Sequence, residues 1–209
     1  MMKLKICGMK YPENIQQVAA LAPDFMGFIF YQDSKRYIEK LNAEDLSELP
    51  ENIARVGVFV NQDVIEVVQI ALQFKLDLIQ LHGSEPVNYI VALKQQLKGS
   101  NIKFIKAFGL DEQFDFFILS QYEDAVDYFL FDTQTPGHGG SGKVFNWALL
   151  EKYTLELPYF LSGGIGLEST EALKQINDKR LFAIDVNSKF ETAPGKKDID
   201  KLKEFKIKL

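Results

Sequence analysis

The stretch "RVGVFVNQDVIEVVQIALQFKLDLIQL", Arg55–Leu81, decides the fold. It starts and ends with short apolar runs, Arg55–Val60 and Leu76–Leu81, whose apolar residues stand next to each other instead of alternating. Such runs are typical of strands that are buried on both faces, as in parallel sheets. Between the runs, apolar residues recur at spacings of three and four, which is one face of a helix. These residues are Val64, Val67, Val68, Ala71 and Leu72. The stretch therefore predicts two parallel strands that are joined by a crossover helix.

The same unit recurs along the whole chain. Eight apolar runs alternate with helical patterns, and the runs are Leu4–Cys7, Phe25–Phe30, Arg55–Val60, Leu76–Leu81, Lys103–Phe108, Tyr128–Asp132, Tyr159–Gly163 and Leu181–Val186. Eight such units in about 200–250 residues predict an α/β fold, the (β/α)8 TIM barrel. The alternative is an open doubly wound sheet, which usually has fewer strands at this length. No linker divides the chain, so residues 1–209 are expected to form a single domain, with a poorly formed fifth helix in the short segment "DEQFDFFILSQY".

Composition excludes several classes of protein. The net charge of -5 provides no basic field that would attract nucleic acid. The single cysteine cannot form an internal disulfide, which favours a reducing compartment. No apolar run of signal length follows the charged N-terminus, and none approaches the roughly 18–20 residues that a membrane helix needs. We therefore expect a cytoplasmic protein that binds neither membranes nor nucleic acid.

Reactive side chains follow several of the predicted strands, and a barrel places its chemistry at the carboxyl ends of its strands. Cys7 ends the first strand and is either a functional thiol or a small buried hydrophobe. Arg36 follows the second strand, with a fork suited to carboxylate or phosphate unless it is simply solvated. His82 ends the fourth strand and either acts on a ligand or braces neighbouring loops. Asp132 ends the sixth, where the main alternative to a functional carboxylate is a helix cap.

Glycines mark the loops that follow the sixth and seventh strands. Gly163 and Gly164 follow the seventh strand, and barrels often bind phosphate with the loops after strands seven and eight. The loop "QTPGHGGSGKVF" nearly matches a phosphate-binding P-loop, but Val144 stands where Ser or Thr would bind magnesium. Its glycines, which include Gly140 and Gly142, instead predict a loop that closes over the barrel mouth when substrate binds. The alternative is a rigid loop whose glycines serve tight turns.

Together these motifs give the sequence a close resemblance to the phosphoribosylanthranilate isomerase family of tryptophan biosynthesis. The matching stretches are "KICG", "GFIFYQDSKRYI", "RVGVFVN", "IQLHG", "FDTQTPGHGGSGKVFNW", "LSGGIG" and "AIDVNSKFETAPGKKD". The resemblance implies a (β/α)8 barrel that isomerises N-(5-phosphoribosyl)anthranilate, an aminoaldose, to 1-(2-carboxyphenylamino)-1-deoxyribulose 5-phosphate, an aminoketose. This Amadori rearrangement requires neither a cofactor nor a metal in the family. The resemblance also implies a small-molecule phosphorylated aminosugar as the partner, and a monomer.

The resemblance implies a role for each candidate residue. Cys7 is expected to be the general base and Asp132 the general acid, while Arg36 binds the anthranilate carboxylate. His82, Gly140 and Gly142 are expected in substrate binding, with His82 in a supporting role. The residues expected to bind phosphate are Gly163, Gly164, Asp185, Asn187 and Ser188. Lys189 departs from the small residue that many relatives have, and it either adds a charge near the phosphate or points to solvent.

Three rival functions remain at this stage. A P-loop ATPase or kinase is disfavoured by Val144. The sister isomerase of histidine biosynthesis performs the same reaction type with a pair of aspartates, whereas this chain has Cys7 at the first position. A phosphate-binding barrel without activity would have no reason to combine Cys7 with Asp132.

Overall fold

A computed structural model describes residues 2–133 and 146–209. Eight parallel strands close into one barrel in the order β1 to β8. They are β1 Lys3–Ile6, β2 Phe25–Ile29, β3 Ala54–Phe59, β4 Leu78–Leu81, β5 Lys103–Leu110, β6 Tyr128–Thr133, β7 Tyr159–Leu161 and β8 Leu181–Val186. The barrel closes where β1 pairs with β8, with Lys5 opposite Asp185. Every predicted strand is thus confirmed, with ends that differ by at most two residues.

Helices cover the outside of this barrel. They are α1 Pro12–Ala19, α2 Ala43–Ser47, α3 Val64–Gln73, α4 Val87–Gln96, α5 Thr170–Lys174 and α6 Ile199–Lys208. A 3₁₀ segment, Phe116–Gln121, takes the place of an α-helix after β5, which confirms the poorly formed fifth helix. Another 3₁₀ segment, Trp147–Lys152, precedes β7. The sequence did not predict α2 or the small antiparallel hairpin of β9, Glu191–Ala193, and β10, Lys196–Lys197.

Local sequence accounts for the ends of the helices. Pro12 occupies the first turn of α1, where its missing N–H is not needed. Asp63 caps α3, because its carboxylate accepts hydrogen bonds from the backbone N–H of Ile65 at 2.8 Å and of Glu66 at 3.4 Å. In the part of the chain that the structure describes, no helix combines the length and the apolarity needed to cross a bilayer.

The strands are buried on both faces, as the consecutive apolar residues predict. Their outward faces pack against the helices in a large core that includes Phe28, Phe59 and Phe131. Their inward faces form a second, separate cluster inside the barrel, which consists of Phe25, Val56, Leu78, Ile105, Ala107, Leu130, Phe160 and Ala183. We call this inner cluster the plug. It fills the amino-terminal end of the barrel and leaves the carboxyl-terminal end to polar side chains.

Candidate active site

A cavity of about 420 Å³ opens at the carboxyl ends of the strands. Its walls include every predicted site residue that lies within the described ranges: Cys7, Arg36, His82, Asp132, Gly163, Gly164, Asp185, Asn187 and Ser188. The structure therefore brings together nine side chains and glycines that come from six different strand ends. Gly140, Gly142 and the loop that we expect to close over the mouth, Gln134–Lys143, lie outside the described residues.

Cys7 lies directly after β1 and is 5% exposed. Its backbone N–H donates a hydrogen bond to the carbonyl of Val186 at 2.9 Å. The backbone of Cys7 is therefore held where β1 pairs with β8 and closes the barrel. Gly27 on β2 makes room for it: a Cβ added at Gly27 would lie 2.7 Å from the Cys7 sulfur and 3.1 Å from its Cα. The position of the thiol thus depends on a residue that has no side chain.

Lys5 and Asp185 form a buried ion pair beside this thiol. Lys5 Nζ lies 2.9 Å from Asp185 Oδ2, and the two side chains are 0% and 5% exposed. The other oxygen, Asp185 Oδ1, is buried and has no hydrogen-bond partner in the described part of the chain. Burial acts to lower the pKa of Lys5, but the charges of Asp185 and Cys7 outweigh burial and raise that pKa overall. The charges around Lys5 thus favour its ammonium form next to Cys7.

The environment of Cys7 contains opposing effects on its acidity. Burial raises the pKa of the thiol above its ordinary value, and the charge of Lys5 is the largest effect in the other direction. Asp185 adds to the increase, whereas Lys197 lowers the pKa of Cys7 further. Lys5 is thus the main group that favours the thiolate, which is the form of cysteine that can accept a proton.

Asp132 ends β6 on the wall of the same cavity and is 8% exposed. Its Oδ1 accepts a hydrogen bond from the N–H of Thr133 at 2.7 Å, and its Oδ2 lies 3.5 Å from His82 Nε2. His82 Nδ1 in turn lies 2.8 Å from Gln80 Nε2, which orients the ring toward the carboxylate. The structure thus places His82 next to Asp132.

Arg36 forms a bidentate ion pair within the protein. Its Nε and Nη2 donate to Glu191 Oε1 and Oε2 at 2.8 and 2.6 Å. Lys197 Nζ also lies 2.8 Å from Glu191 Oε1. Burial alone would raise the pKa of Glu191, but hydrogen bonds and charge from Arg36 and Lys197 hold it below its usual value. Glu191 is therefore an anion between two cations.

The loops after β7 and β8 form the opposite wall. Gly163 has a φ of +94°, and a Cβ there would lie 2.7 Å from Thr133 N and 3.0 Å from Asp132 Oδ1, so this position requires glycine. Within residues 2–133 and 146–209, the N–H groups of Gly163, Gly164 and Ser188 have no acceptor. Unpaired backbone N–H groups beside a cavity are typical of anion sites. Lys189 also lines the cavity, and its Nζ lies 3.2 Å from Glu168 Oε1 across the two loops.

Asp185 lies on the wall of the same cavity. Its carboxylate is paired with Lys5, and burial raises the pKa of Asp185 above its usual value, although the charge of Lys5 acts in the other direction. Asn187 lines the cavity and contacts Lys197, because its Oδ1 accepts a hydrogen bond from Lys197 Nζ at 2.7 Å.

A second cavity, of about 880 Å³, adjoins the first on the side of β5. It shares His82 and Asp132 with the first cavity, and its other walls include Phe108, Phe114 and Phe117. Cys7, Arg36 and the glycines after β7 do not line it. Although it is larger, it lacks the combination of groups that distinguishes the first cavity.

Sequence reasoning missed Lys5, Gln80, Glu191 and Lys197. Lys5 had a signal: it interrupts an apolar run two residues before Cys7, so it shares the inward face of β1. Nothing near Glu191 or Lys197 in the sequence indicates that they meet Arg36. Among the described residues, no three His, Cys, Asp or Glu side chains are arranged to hold a metal ion.

Comparison with known proteins gives a consistent result. Residues 4–207 match the family model described as N-(5'phosphoribosyl)anthranilate (PRA) isomerase. The chain is similar to N-(5'-phosphoribosyl)anthranilate isomerase from Parabacteroides distasonis, with 45% identity over 98% of this chain and 91% of that one. The crystal structure of phosphoribosyl anthranilate isomerase from Thermotoga maritima is similar at a TM-score of 0.83, with 35% identity over 100% of this chain and 98% of that one.

A second solved structure has a ligand. It is a phosphoribosyl anthranilate isomerase in complex with reduced 1-(o-carboxyphenylamino)-1-deoxyribulose 5-phosphate. Its TM-score to this chain is 0.79, with 32% identity over 98% of this chain and 96% of that one. A protein of the same architecture therefore binds a phosphorylated and carboxylated aminosugar.

Proposed function

Because the chain belongs to the N-(5'-phosphoribosyl)anthranilate isomerase family and is an isomerase of tryptophan biosynthesis, we propose that Cys7 and Asp132 are its general base and general acid. The reaction converts N-(5-phosphoribosyl)anthranilate to 1-(2-carboxyphenylamino)-1-deoxyribulose 5-phosphate. One observation carries the assignment. A thiol from the end of β1 and a carboxyl group from the end of β6 line one cavity, on strands that lie on different sides of the barrel.

Asp132 performs the first step. Its carboxyl group donates a proton to the ring oxygen of the ribose as the bond from that oxygen to C1 breaks. The nitrogen lone pair forms a double bond to C1, which gives a protonated Schiff base. His82, at 3.5 Å from Asp132 Oδ2, supports the carboxyl group from the other side.

Cys7 performs the second step. The Schiff base acidifies the hydrogen on C2, the thiolate takes that proton, and the electron pair forms the C1–C2 double bond of an enaminol. Proton transfer from the C2 hydroxyl and protonation of C1 then yield the aminoketose. Lys5 supports this step because its charge opposes the rise in the pKa of Cys7 that burial causes.

The two ends of the substrate have different anion sites in this proposal. The N–H groups of Gly163, Gly164 and Ser188, which have no acceptor among the described residues, bind the phosphate. Arg36 binds the anthranilate carboxylate with the donors that Glu191 leaves unused. Asp185 Oδ1, which has no partner within the described residues, accepts a hydrogen bond from a sugar hydroxyl.

An assay with N-(5-phosphoribosyl)anthranilate generated in situ tests the function. We expect the fluorescence of the anthranilate moiety to decay with the wild-type enzyme. Turnover of the histidine-pathway aminoaldose in preference to this substrate would show that the enzyme catalyses the sister isomerisation instead. Binding of Mg–ATP without isomerase activity would instead support a P-loop ATPase or kinase.

The remaining assignments complete the proposal. The enzyme acts in the cytoplasm as a monomer, residues 1–209 form one domain, and a small phosphorylated aminosugar is its partner. Size-exclusion chromatography with light scattering tests the monomer, since a dimer would double the mass of 23.8 kDa.

A further inference from the structure

The geometry of Arg36 suggests a further functional residue. A guanidinium has five N–H donors. Glu191 takes the side edge, which consists of Nε and one hydrogen of Nη2. The end edge, formed by Nη1 and the second hydrogen of Nη2, has no acceptor within residues 2–133 and 146–209. That edge is itself a parallel pair of donors, which is the arrangement that binds a second carboxylate with two hydrogen bonds.

Glu191 is itself held rigidly. Its side chain is 5% exposed, and its Oε1 accepts hydrogen bonds from Lys197 Nζ at 2.8 Å and from the Gly195 N–H at 3.0 Å. Lys197 is attached to α1, because its N–H donates to Asn14 Oδ1 at 2.6 Å and its carbonyl accepts from Asn14 Nδ2 at 3.1 Å. The orientation of Arg36 is therefore determined by the hairpin β9–β10 and by α1.

Charge and donor counts assign different roles to the two cations. Lys197 Nζ has three hydrogens, and it has contacts to Glu191 Oε1, Asn187 Oδ1 and the Asn187 carbonyl. Its donors are thus used within the protein, and its side chain is 0% exposed. Arg36, Lys197 and Glu191 together leave one positive charge, and only Arg36 has donors left to present it. The cluster matches a single carboxylate.

We propose that Glu191 is a positioning residue, which holds Arg36 so that the end edge of the guanidinium receives the anthranilate carboxylate. This inference rests on the role of Arg36 under the proposed function. It predicts that Glu191 contributes to affinity only for ligands that have the carboxylate. A purely structural ion pair would affect all ligands alike.

The test compares two ligands on the same protein. One is reduced 1-(o-carboxyphenylamino)-1-deoxyribulose 5-phosphate, and the other is the phenylamino analogue without the carboxylate. Calorimetry should show that Glu191→Gln weakens binding of the first ligand by about 10-fold or more, which corresponds to one charge-assisted hydrogen bond. Binding of the second ligand should not change. Because the ratio of the two dissociation constants is taken within one variant, loss of folded protein cancels.

Glu191→Asp provides a second variant that keeps the charge next to Lys197. Its shorter side chain cannot reach both cations, so we expect the same selective loss, with better folding. Asp178→Asn is the matched control, since Asp178 accepts two hydrogen bonds from the guanidinium of Arg180 at 2.9 Å each, before β8 and away from the mouth. It should leave the ratio of the two constants unchanged.

Arg36→Met separates failure of this inference from failure of the proposed function. If Arg36→Met weakens both ligands equally, Arg36 does not bind the carboxylate and the proposed role itself is wrong. If Arg36→Met is selective for the carboxylate but both Glu191 variants are not, the role of Arg36 stands and the positioning role of Glu191 is overturned. Selective loss in all three variants, with kcat lowered less than KM is raised, is the expected result.

Discussion

The two ends of the barrel interior are built from the same strands and the same inward faces, yet they differ completely in chemistry. At the amino-terminal end, Phe25, Phe160, Tyr128 and Phe182 pack with ring centroids 4.6–6.0 Å apart. At the other end, the same faces present Lys5, Cys7, His82, Asp132 and Asp185. Burial of apolar surface stabilises the first end, whereas burial of charge is unfavourable at the second unless each charge has a partner. The comparison teaches that stability and activity depend on different layers of one barrel.

At the mouth, each of several buried charges lies next to a charge of opposite sign, which offsets the cost of burying it. Lys5 pairs with Asp185 at 2.9 Å, and Lys106 pairs with Glu85 at 3.0 Å. Such pairs are costly to break, but they contribute less to stability than apolar residues of the same size would. Their retention is consistent with a functional requirement for charge in this layer.

The largest effect is expected at the mouth. Cys7→Ala and Asp132→Asn should each reduce kcat by about 100- to 10,000-fold, since each removes a positioned acid or base. The melting temperature should change little, because neither residue belongs to the plug. Stopped assays and thermal unfolding measure the two quantities. Near wild-type kcat in either variant would remove that residue from the mechanism.

In the plug, we expect a mutation to reduce stability and leave kcat unchanged. Phe160 is 0% exposed and contacts the rings of Phe25, Tyr128 and Phe182. Phe160→Ala should lower the free energy of unfolding by about 3–5 kcal/mol and leave kcat unchanged below the transition. Denaturant titration measures the loss, with Phe117→Ala as the control, since Phe117 is 78% exposed. A large loss of kcat in folded Phe160→Ala would show that the two layers are coupled.

Gly27→Ala probes the boundary between the two layers. The new methyl group would lie 2.7 Å from the Cys7 sulfur, so the thiol must move, and a shift of about 1 Å can reduce the rate by about 100-fold. Gly57→Ala is the control, because its methyl group would instead crowd Leu76 and Phe59 in the outer core. We expect Gly57→Ala to reduce stability and Gly27→Ala to reduce kcat. Unchanged kcat in Gly27→Ala would mean that the thiol has room to adjust.

The smallest effect is a change in pH dependence. Lys5 lowers the pKa of the Cys7 thiol, so Lys5→Met should raise that pKa further above its ordinary value. If Cys7 is the base that we propose, activity requires its thiolate, and the rising limb of kcat/KM should therefore shift to higher pH. The rate of alkylation by iodoacetamide should shift in the same direction. Lys3→Met is the control, because Lys3 Nζ lies over the ring of Phe182 at 4.3 Å, at the plug. An unshifted limb in Lys5→Met would show that Lys5 acts on Asp185 alone.

The fold followed from the sequence because its signals are local. Each strand is an apolar run of a few residues, each run is followed by a polar turn, and right-handed crossovers leave few ways to connect eight of them. The same rule predicted which residues line the cavity, since Cys7, His82 and Asp132 all stand at the carboxyl end of a strand. From the sequence alone, the architecture and many residues of this cavity can therefore be predicted.

Only the tertiary structure decided how those residues are paired. Arg36 and Glu191 are separated by 155 positions, and Lys5 and Asp185 by 180. No local spacing relates the members of either pair, because they meet only after the barrel closes and β1 lies next to β8. Asp185 shows the consequence: its position in the eighth strand does not indicate a partner, whereas closure of the barrel places its carboxylate on Lys5. Partners of buried charges are chosen by long-range packing, since each charge must find an opposite one within a few ångströms, wherever in the chain it lies.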